Sequence, residues 1–264
     1  MITHNTNEAA KRSQIKILGI PVHMVQIPDV VSLMTDWATH EQERPRWIVV
    51  ADMHAIIEAH KQPDFRAMIR SADLTVPDGI SLIKVARRKG VPLRTRVAGT
   101  DLMKAFFRQT QGTGLMHYFY GDTAQTLAHL GLKLSEEFPG IPIAGSYSPP
   151  FRPMTTQEDE AIIREINQAR PDVLWVGLGL PKQERWIYEH LDRLEVPLVL
   201  GVGAAFKFLA GTVQRAPAWM GELGLEWLWR FVHEPRRLWR RIIIEGPQFV
   251  GHVVLELSGL RKYS

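Results

Sequence analysis

Short apolar runs alternate with amphipathic stretches along most of this 264-residue chain. Several runs are continuously apolar, which is typical of parallel strands covered on both faces. The runs that predict strands are 15–18, 46–50, 74–76, 115–120, 141–146, 172–177 and 198–202. Apolar residues recur at helical spacing in 101–110, 123–138, 155–169 and 183–194. This alternation predicts an α/β fold, a Rossmann-like parallel sheet core with helices on both faces.

The last fifty residues differ from the rest in charge and in aromatic content. From Arg215 onward, eight Lys or Arg residues stand against five Glu residues, although the net charge of the whole chain is only +4. Four of the eight tryptophans lie there too. We therefore predict a flexible N-terminal tail (1–13), an α/β core (14–214) and a C-terminal helical appendage (215–264).

Composition excludes some classes of protein. The chain has no cysteine, which removes disulfides, zinc–thiolate sites and cysteine nucleophiles. Residues 1–13 hold no apolar segment, so we expect no signal peptide. The longest apolar run, 196–206, is interrupted by one proline and two glycines and is too short to span a bilayer. We expect a cytoplasmic protein, and the mild net charge does not indicate a nucleic-acid partner.

Asp78 is the candidate with the clearest chemistry. It follows the apolar run 74–76 and Pro77, and Gly79 after it permits a tight turn into a helix. Ligands of α/β proteins bind outside the carboxyl ends of the strands, where a general base belongs. The alternative is that Asp78 serves as the N-cap of a helix that begins near Ile80. The spacing alone leaves both interpretations open.

Two other strand ends are rich in glycine, at 120–122 and 177–184. Glycine lets a phosphate or sugar approach the backbone, so both turns are modest signs of a nucleotide site. Each is equally well explained as a tight strand-to-helix turn. For metals the pattern is weak, since His54 and His60 are six residues apart and no Asp-x-Asp occurs. We expect neither a metal nor a cofactor.

The appendage contains arginines at helical spacing. Positions 236, 237, 240 and 241 are all Arg, three or four residues apart, behind a proline that can begin a helix. Guanidinium groups on one side of a helix suit phosphate, and neighbouring Trp and Leu suit a lipid headgroup boundary. The alternative is that these arginines pair with glutamates while the tryptophans fill a core.

Several blocks of the chain together resemble the WecG/TagA/CpsF family of bacterial glycosyltransferases. One is Ser-Ala-Asp-Leu-Thr-Val-Pro-Asp-Gly at 71–79; the others are 96–101, 171–184, 215–217, 225–230 and 234–237. The resemblance runs from about residue 17 to residue 249. It implies a Rossmann-like catalytic core, completed by a helical appendage at the membrane surface.

The resemblance also implies an activity. It is the inverting, metal-independent transfer of a sugar, typically N-acetylmannosamine, from a UDP donor to a polyprenyl-diphosphate-linked sugar in cell-surface polysaccharide synthesis. Asp78 matches the catalytic base, and Arg96 and Gln183 match residues of the catalytic pocket. The matching appendage arginines, which would meet the diphosphate, are Arg230, Arg237 and Arg240. The further residues expected at the substrate site are Asp52, Asp101, Gly121, Gly179 and Lys182.

The chain departs from the family pattern at two positions. Asp52 stands where the family usually has Asn, and Lys207 stands where it often has Asp. A second carboxylate close to Asp78 would raise its pKa, so our hypothesis is that Asp52 tunes this base or reads a different acceptor. We interpret Lys207 as a sign of a different donor sugar.

Two competing functions remain open from the sequence. One is a non-catalytic protein of the same fold that binds a nucleotide sugar or a lipid diphosphate. The other, weaker, is RNA binding by the basic tail, whose tryptophans and arginines could stack on a single strand. The expected place of action is the inner face of the cell membrane. The oligomeric state, including a homo-oligomer, is left open.

Overall fold

The computed structural model describes residues 13–217, 219–220 and 225–263. Nearly all of the tail 1–13 and the side chain of Arg237 lie outside the described part. The chain begins with an antiparallel hairpin, β1 (Gln14–Ile17) and β2 (Ile20–His23). The strands that follow are β3 (Arg46–Ala51), β4 (Leu74–Pro77), β5 (His117–Gly121), β6 (Ile143–Tyr147), β7 (Val173–Gly177) and β8 (Leu198–Gly201).

These six later strands form one sheet in the order β4-β3-β8-β7-β5-β6, and every neighbouring pair is parallel. Their carboxyl ends therefore meet at one edge. Ala51 pairs in register with Pro77, so the residues after β3 and β4 emerge side by side. This confirms the predicted α/β fold with a Rossmann-like parallel sheet.

Helices connect the strands and complete the carboxyl-terminal region. In chain order they are α1 (Ile27–Thr39), α2 (Met53–Lys61), α3 (Pro63–Ser71), α4 (Ile80–Arg88), α5 (Gly99–Thr110), α6 (Ala124–Glu137), α7 (Thr156–Ala169), α8 (Lys182–His190), α9 (Ala205–Leu209), α10 (Glu226–His233), α11 (Pro235–Trp239) and α12 (Gly246–Leu257). A 3₁₀ turn, Leu191–Arg193, follows α8, and a π-helical segment, Arg240–Glu245, joins α11 to α12.

The core has two layers because the strands are buried on both faces. Ile48 and Val50 of β3 point into one hydrophobic cluster, while Trp47 and Val49 point into the other. Successive side chains of a strand alternate between the faces, so a continuously apolar strand fills both layers. Burial on both faces therefore explains why the strands are continuous apolar runs in the sequence.

The run 15–18 does not join the parallel sheet, so our placement of it there is wrong. It forms β1, whose partner β2 we did not predict. Leu18 and Gly19 make the turn with φ of 48° and 81°. Two-residue turns with positive φ usually carry Asn-Gly or Asp-Gly. Here the first turn residue is Leu18, which continues an apolar run, so the sequence does not show the turn.

The last helix packs against this hairpin. Phe249 and Val253 of α12 belong to the same buried cluster as Ile17 and Leu18. The Glu256 carboxylate accepts a hydrogen bond from the Leu18 backbone N–H, at 3.3 Å. Among the described helices, none combines the length and apolarity needed to cross a bilayer. Our division of the chain at residue 214 stays a prediction.

Candidate active site

Asp78 lies at the carboxyl edge of the sheet, directly after β4. Its backbone N–H donates to the Ala51 carbonyl at 2.8 Å, which continues the β3–β4 ladder by one residue. The N-cap of α4 is Gly79, and no side chain caps that helix. The N-cap interpretation of Asp78 is therefore wrong. Its carboxylate has no hydrogen-bond partner among the described residues, so it is free for chemistry.

The surroundings of Asp78 raise its pKa to about 6, and burial is the largest cause. Arg96 and Arg230 act in the opposite direction, while Glu226 and Asp101 add to the rise. A carboxylate in a poorly hydrated cleft resists ionisation because water no longer stabilises its charge. A pKa close to neutral pH suits a group that must accept a proton and later release it.

Asp52, at the end of neighbouring β3, has a different environment. Its Oδ1 accepts the Ala55 N–H at 3.1 Å and caps α2. Its other carboxylate oxygen forms an ion pair with Arg241 of the π-helical segment. We proposed that Asp52 raises the pKa of Asp78, but the leading causes are burial, Glu226 and Asp101. The charge of Asp52 is neutralised by Arg241 instead.

Two further ion pairs join the carboxyl-terminal residues to the core around Asp78. Arg96 pairs with Glu226, the first residue of α10. Arg215 makes a bidentate pair with Asp101, with 2.7 Å between Nη2 and Oδ2, and this lowers the pKa of Asp101. Both Arg96 and Asp101 thus have protein partners, and each pair links segments more than a hundred residues apart.

Gln183 holds two turns of the site together. Its Oε1 accepts the backbone N–H groups of Gly179, at 3.1 Å, and Gly203, at 2.9 Å. Its Nε2 donates to Oε1 of Glu184 at 2.8 Å, and this bond fixes the orientation of the amide. Gln183 is 3% exposed and Glu184 is fully buried. Through these hydrogen bonds, the Gln183 side chain connects the turn after β7 to the turn after β8.

Glu184 is a buried acid that sequence reasoning missed. Burial raises its pKa to about 7, and its Oε2 has no hydrogen-bond partner among the described residues. Helical periodicity could have predicted its burial, because Glu184 is three residues before Ile187 and both lie on the buried face of α8. Glu226, Arg215 and Arg241 carry no such local signal, because their partners are distant in sequence.

The two predicted glycines have different roles. Gly179 has φ of 77°, and a Cβ there would meet nothing within 4 Å, so this turn opens onto free space. Gly121 has φ of 125°, and a Cβ there would lie 2.6 Å from the Gly177 carbonyl carbon. Gly121 is thus explained by the close approach of β5 and β7 rather than by a ligand.

A cleft of about 1230 Å³ opens in front of Asp78. Of the predicted residues, the seven that line it are Asp52, Asp78, Arg96, Gly179, Gln183, Arg230 and Arg240. Asp101, Gly121 and Lys182 are not among the lining residues. Lys182 is an exposed residue at the start of α8. The structure thus brings most of the predicted site together.

Lys207 lies outside this cleft lining. Its Nζ is 4.0 Å from the Asp122 carboxylate, and the side chain of Asp122 is 6% exposed. Lys207 thus places a cation beside an acid that follows β5. This pairing gives Lys207 a partner within the fold.

One group of described side chains has the composition of a metal site. Ligand atoms of His54, Glu58 and Glu245 lie within 4.8 Å of one another, at the edge of the cleft. Glu245 already pairs with His54 Nδ1 at 2.6 Å and with Lys61 at 3.7 Å. Lys61 also lies 3.9 Å from Glu58. The positive charge of Lys61 beside these carboxylates opposes the binding of a divalent cation, and the ion pairs of the group join α2 to the π-helical segment.

Known proteins are similar to this chain over most of its length. The family described as "Glycosyl transferase WecG/TagA/CpsF family" matches residues 15–263. A Bacillus spizizenii protein is 31% identical over 235 residues, 87% of this chain and 89% of its own length. A Bacillus subtilis protein is 31% identical over 185 residues, 70% of each chain. A Staphylococcus aureus protein is 25% identical over 233 residues, 88% of this chain and 90% of its own.

All three relatives bear the name N-acetylglucosaminyldiphosphoundecaprenol N-acetyl-beta-D-mannosaminyltransferase. The match spans the sheet, the cleft and the carboxyl-terminal helices, and it confirms the resemblance seen in the sequence blocks. The chain thus belongs to the WecG/TagA/CpsF family of glycosyl transferases.

Proposed function

We propose that this protein transfers an N-acetylmannosamine-like sugar from a UDP donor to a polyprenyl-diphosphate-linked sugar, with inversion at the anomeric carbon. Asp78 carries this proposal, because it is an unpartnered carboxylate in a cleft at the carboxyl edge of the sheet, with its pKa raised to about 6. The names of the relatives supply the sugar and the acceptor class.

The chemistry follows from a single displacement. The acceptor hydroxyl attacks the anomeric carbon, Asp78 takes the hydroxyl proton, and the bond to the departing UDP breaks. One backside attack inverts the configuration. The proton ends on the Asp78 carboxylate and the electron pair of the broken bond ends on the diphosphate.

The departing diphosphate needs positive charge near Asp78. Arg230 lines the cleft, and its Nε is buried with no hydrogen-bond partner among the described residues. Its guanidinium lies over the Phe208 ring, 5.8 Å from the centroid, which holds the group in place. A preorganised cation in a poorly hydrated cleft stabilises developing negative charge more strongly than water does.

The carboxyl-terminal helices would bring the site to the membrane surface. Eleven of the fifteen large, exposed apolar side chains in the described part of the chain lie beyond residue 218. They include Trp219, Trp227 and Trp239, and indole rings favour the boundary between headgroups and acyl chains. We infer peripheral attachment to the inner leaflet, next to a lipid-linked acceptor.

A panel of UDP-sugars tests this function. Each is incubated with N-acetylglucosamine diphosphate on a polyprenyl chain, and UDP release and the mass of the lipid product are measured. We expect turnover with UDP-N-acetylmannosamine and a product whose anomeric configuration is opposite to that of the donor. The Asp78→Asn variant should bind donor without turnover. UDP release that does not require an acceptor would contradict the proposal.

Metal independence is tested in the same assay. Turnover should be unchanged by EDTA and by added Mg²⁺ or Mn²⁺. The control is Glu58→Gln, which removes one of the three potential ligands beside the cleft. Loss of activity in EDTA that Mg²⁺ restores in wild type, but not in Glu58→Gln, would assign a metal to that group.

A further inference from the structure

The cleft extends well beyond Asp78. Its volume of about 1230 Å³ is above the roughly 300–1,000 Å³ of most sites for one small molecule. The Asp78 end is polar and is formed by the turns after the strands. The cleft is also lined by α4, which begins two residues after Asp78, and by α12, and we call the part between these helices the α4–α12 groove.

The α4–α12 groove has apolar walls. On α12, Val250, Val254 and Leu257 line the cleft at positions i, i+4 and i+7, so they share one helix face. They are 60%, 57% and 39% exposed, respectively. Phe249 of α12, which is 3% exposed, and the buried Val85 of α4 also line the cleft.

Positive charge lies along the same groove. Lys84 and Arg88 are one turn apart on exposed positions of α4, and Arg240 begins the π-helical segment. All three line the cleft. None of the three has an acidic partner within residues 13–217, 219–220 and 225–263. The acids of this part, Glu58 and Glu245, are instead paired with Lys61.

We propose that the α4–α12 groove binds the polyisoprenoid chain of the acceptor lipid, with the diphosphate held by Lys84, Arg88 and Arg240. The inference rests on the proposed function, and it adds the location of the lipid chain. A molecule that joins a sugar, a diphosphate and an apolar chain matches a single cleft that contains Asp78, cations without acidic partners among the described residues, and exposed apolar side chains. Unpaired guanidinium and ammonium groups favour phosphate, and apolar walls favour hydrocarbon over water.

The test uses two acceptors with the same sugar diphosphate in detergent, without membranes. One carries a chain of several isoprene units, and the other carries a single unit, too short to reach α12. The variant Val254→Asp places a charge in the groove at a well-exposed position, which leaves folding intact. Its control, Leu132→Asp, changes a side chain that is 62% exposed on α6, away from the cleft.

For Val254→Asp we expect the KM of the long acceptor to rise by about tenfold, equivalent to the loss of two buried methylene groups. The KM of the short acceptor, the KM of the donor and kcat should match wild type. Leu132→Asp should match wild type with both acceptors. Lys84→Ala combined with Arg88→Ala should raise the KM of both acceptors, because both carry the diphosphate.

Other outcomes would show whether the proposed function or the proposed lipid groove is wrong. If wild type transfers sugar to neither acceptor, the proposed function is wrong. If wild type uses both acceptors with equal KM, or Val254→Asp impairs both equally, the groove does not hold the chain. Sedimentation with vesicles of anionic phospholipid adds a third readout. Val254→Asp should still bind these vesicles, and loss of vesicle binding with unchanged acceptor KM would make this face a membrane contact and overturn the proposal.

Discussion

Asp52 and Asp78 follow neighbouring parallel strands at matching register positions, next to Ala51 and Pro77. Asp52 accepts a helix N–H and pairs with Arg241, so both of its oxygens have partners. Asp78 has neither contact, and the N-cap position after it is occupied by Gly79. Equivalent positions in the sheet thus give one aspartate side chain two protein partners and leave the other without a hydrogen-bond partner in the described part of the chain. The partners of each carboxylate, rather than its place at a strand end, distinguish the proposed base from its neighbour.

The strongest test of this difference is the activity of Asp78→Asn. If Asp78 is the general base, its removal should lower kcat by about 10²–10⁴-fold, the usual contribution of such a group, with the donor KM nearly unchanged. Asp52→Asn should lose much less. Steady-state kinetics of the two variants under saturating donor and acceptor measure this. Equal losses in the two variants would contradict the assignment.

Asp78→Asn should also stabilise the protein at neutral pH. The folded-state pKa of about 6 lies above the ordinary value of 3.8, so ionisation is less favourable in the folded chain. The free energy of unfolding of wild type should therefore fall as the pH rises from about 4 to 6, by at most about 3 kcal/mol. Urea unfolding at pH 4 and pH 7.5 measures the gain, which should disappear at the lower pH. If Asp78→Asn were less stable than wild type at pH 7.5, burial would not be the reason for the raised pKa of Asp78.

Asp52 substitutions should have the opposite effect on stability. Asp52→Ala removes the N-cap of α2 and the partner of Arg241, at a cost of about 2 kcal/mol in the free energy of unfolding. Asp52→Asn keeps a capping oxygen and should lose about half of that. Chemical denaturation at pH 7.5 separates the two contributions. Equal losses from both substitutions would show that the cap contributes little.

The smallest expected effect concerns the acid limb of the pH–rate profile. In wild type, kcat/KM should fall about tenfold per pH unit below pH 6, as Asp78 becomes protonated. Because burial is the main cause of the raised pKa, Asp52→Asn should leave the midpoint of this limb in place. A profile of kcat/KM between pH 4.5 and 8 decides it. A clear shift toward lower pH in Asp52→Asn would restore our first hypothesis that Asp52 tunes the base.

The sequence predicted the sheet and the site edge because both depend on local patterns. Continuous apolar runs identify buried parallel strands, and a parallel sheet brings their carboxyl ends together. Asp78 was found this way. The hairpin was missed because the Leu18-Gly19 turn lies inside an apolar run. The pairs of Asp52 with Arg241 and of Arg96 with Glu226 join residues more than a hundred positions apart, and charge alone does not select between several arginines.

The appendage departs from the regular α-helix that its arginine spacing predicts. Arg240 and Arg241 were expected to share one helix side with Arg236 and Arg237, as α-helical spacing requires. The segment Arg240–Glu245 is π-helical, and its extra residue per turn alters which side chains face inward. Both Arg240 and Arg241 line the cleft, and Arg241 also pairs with Asp52.

The contact between α12 and the β1–β2 hairpin constrains how this protein can be re-engineered. Phe249 and Val253 belong to the same buried cluster as Ile17 and Leu18, and the Glu256 carboxylate accepts a hydrogen bond from the turn between the two strands. A chimera that borrows its final helix from a relative would inherit side chains shaped for another hairpin. Transplants intended to alter lipid preference should therefore carry the first two dozen residues together with the last twenty, as one matched unit.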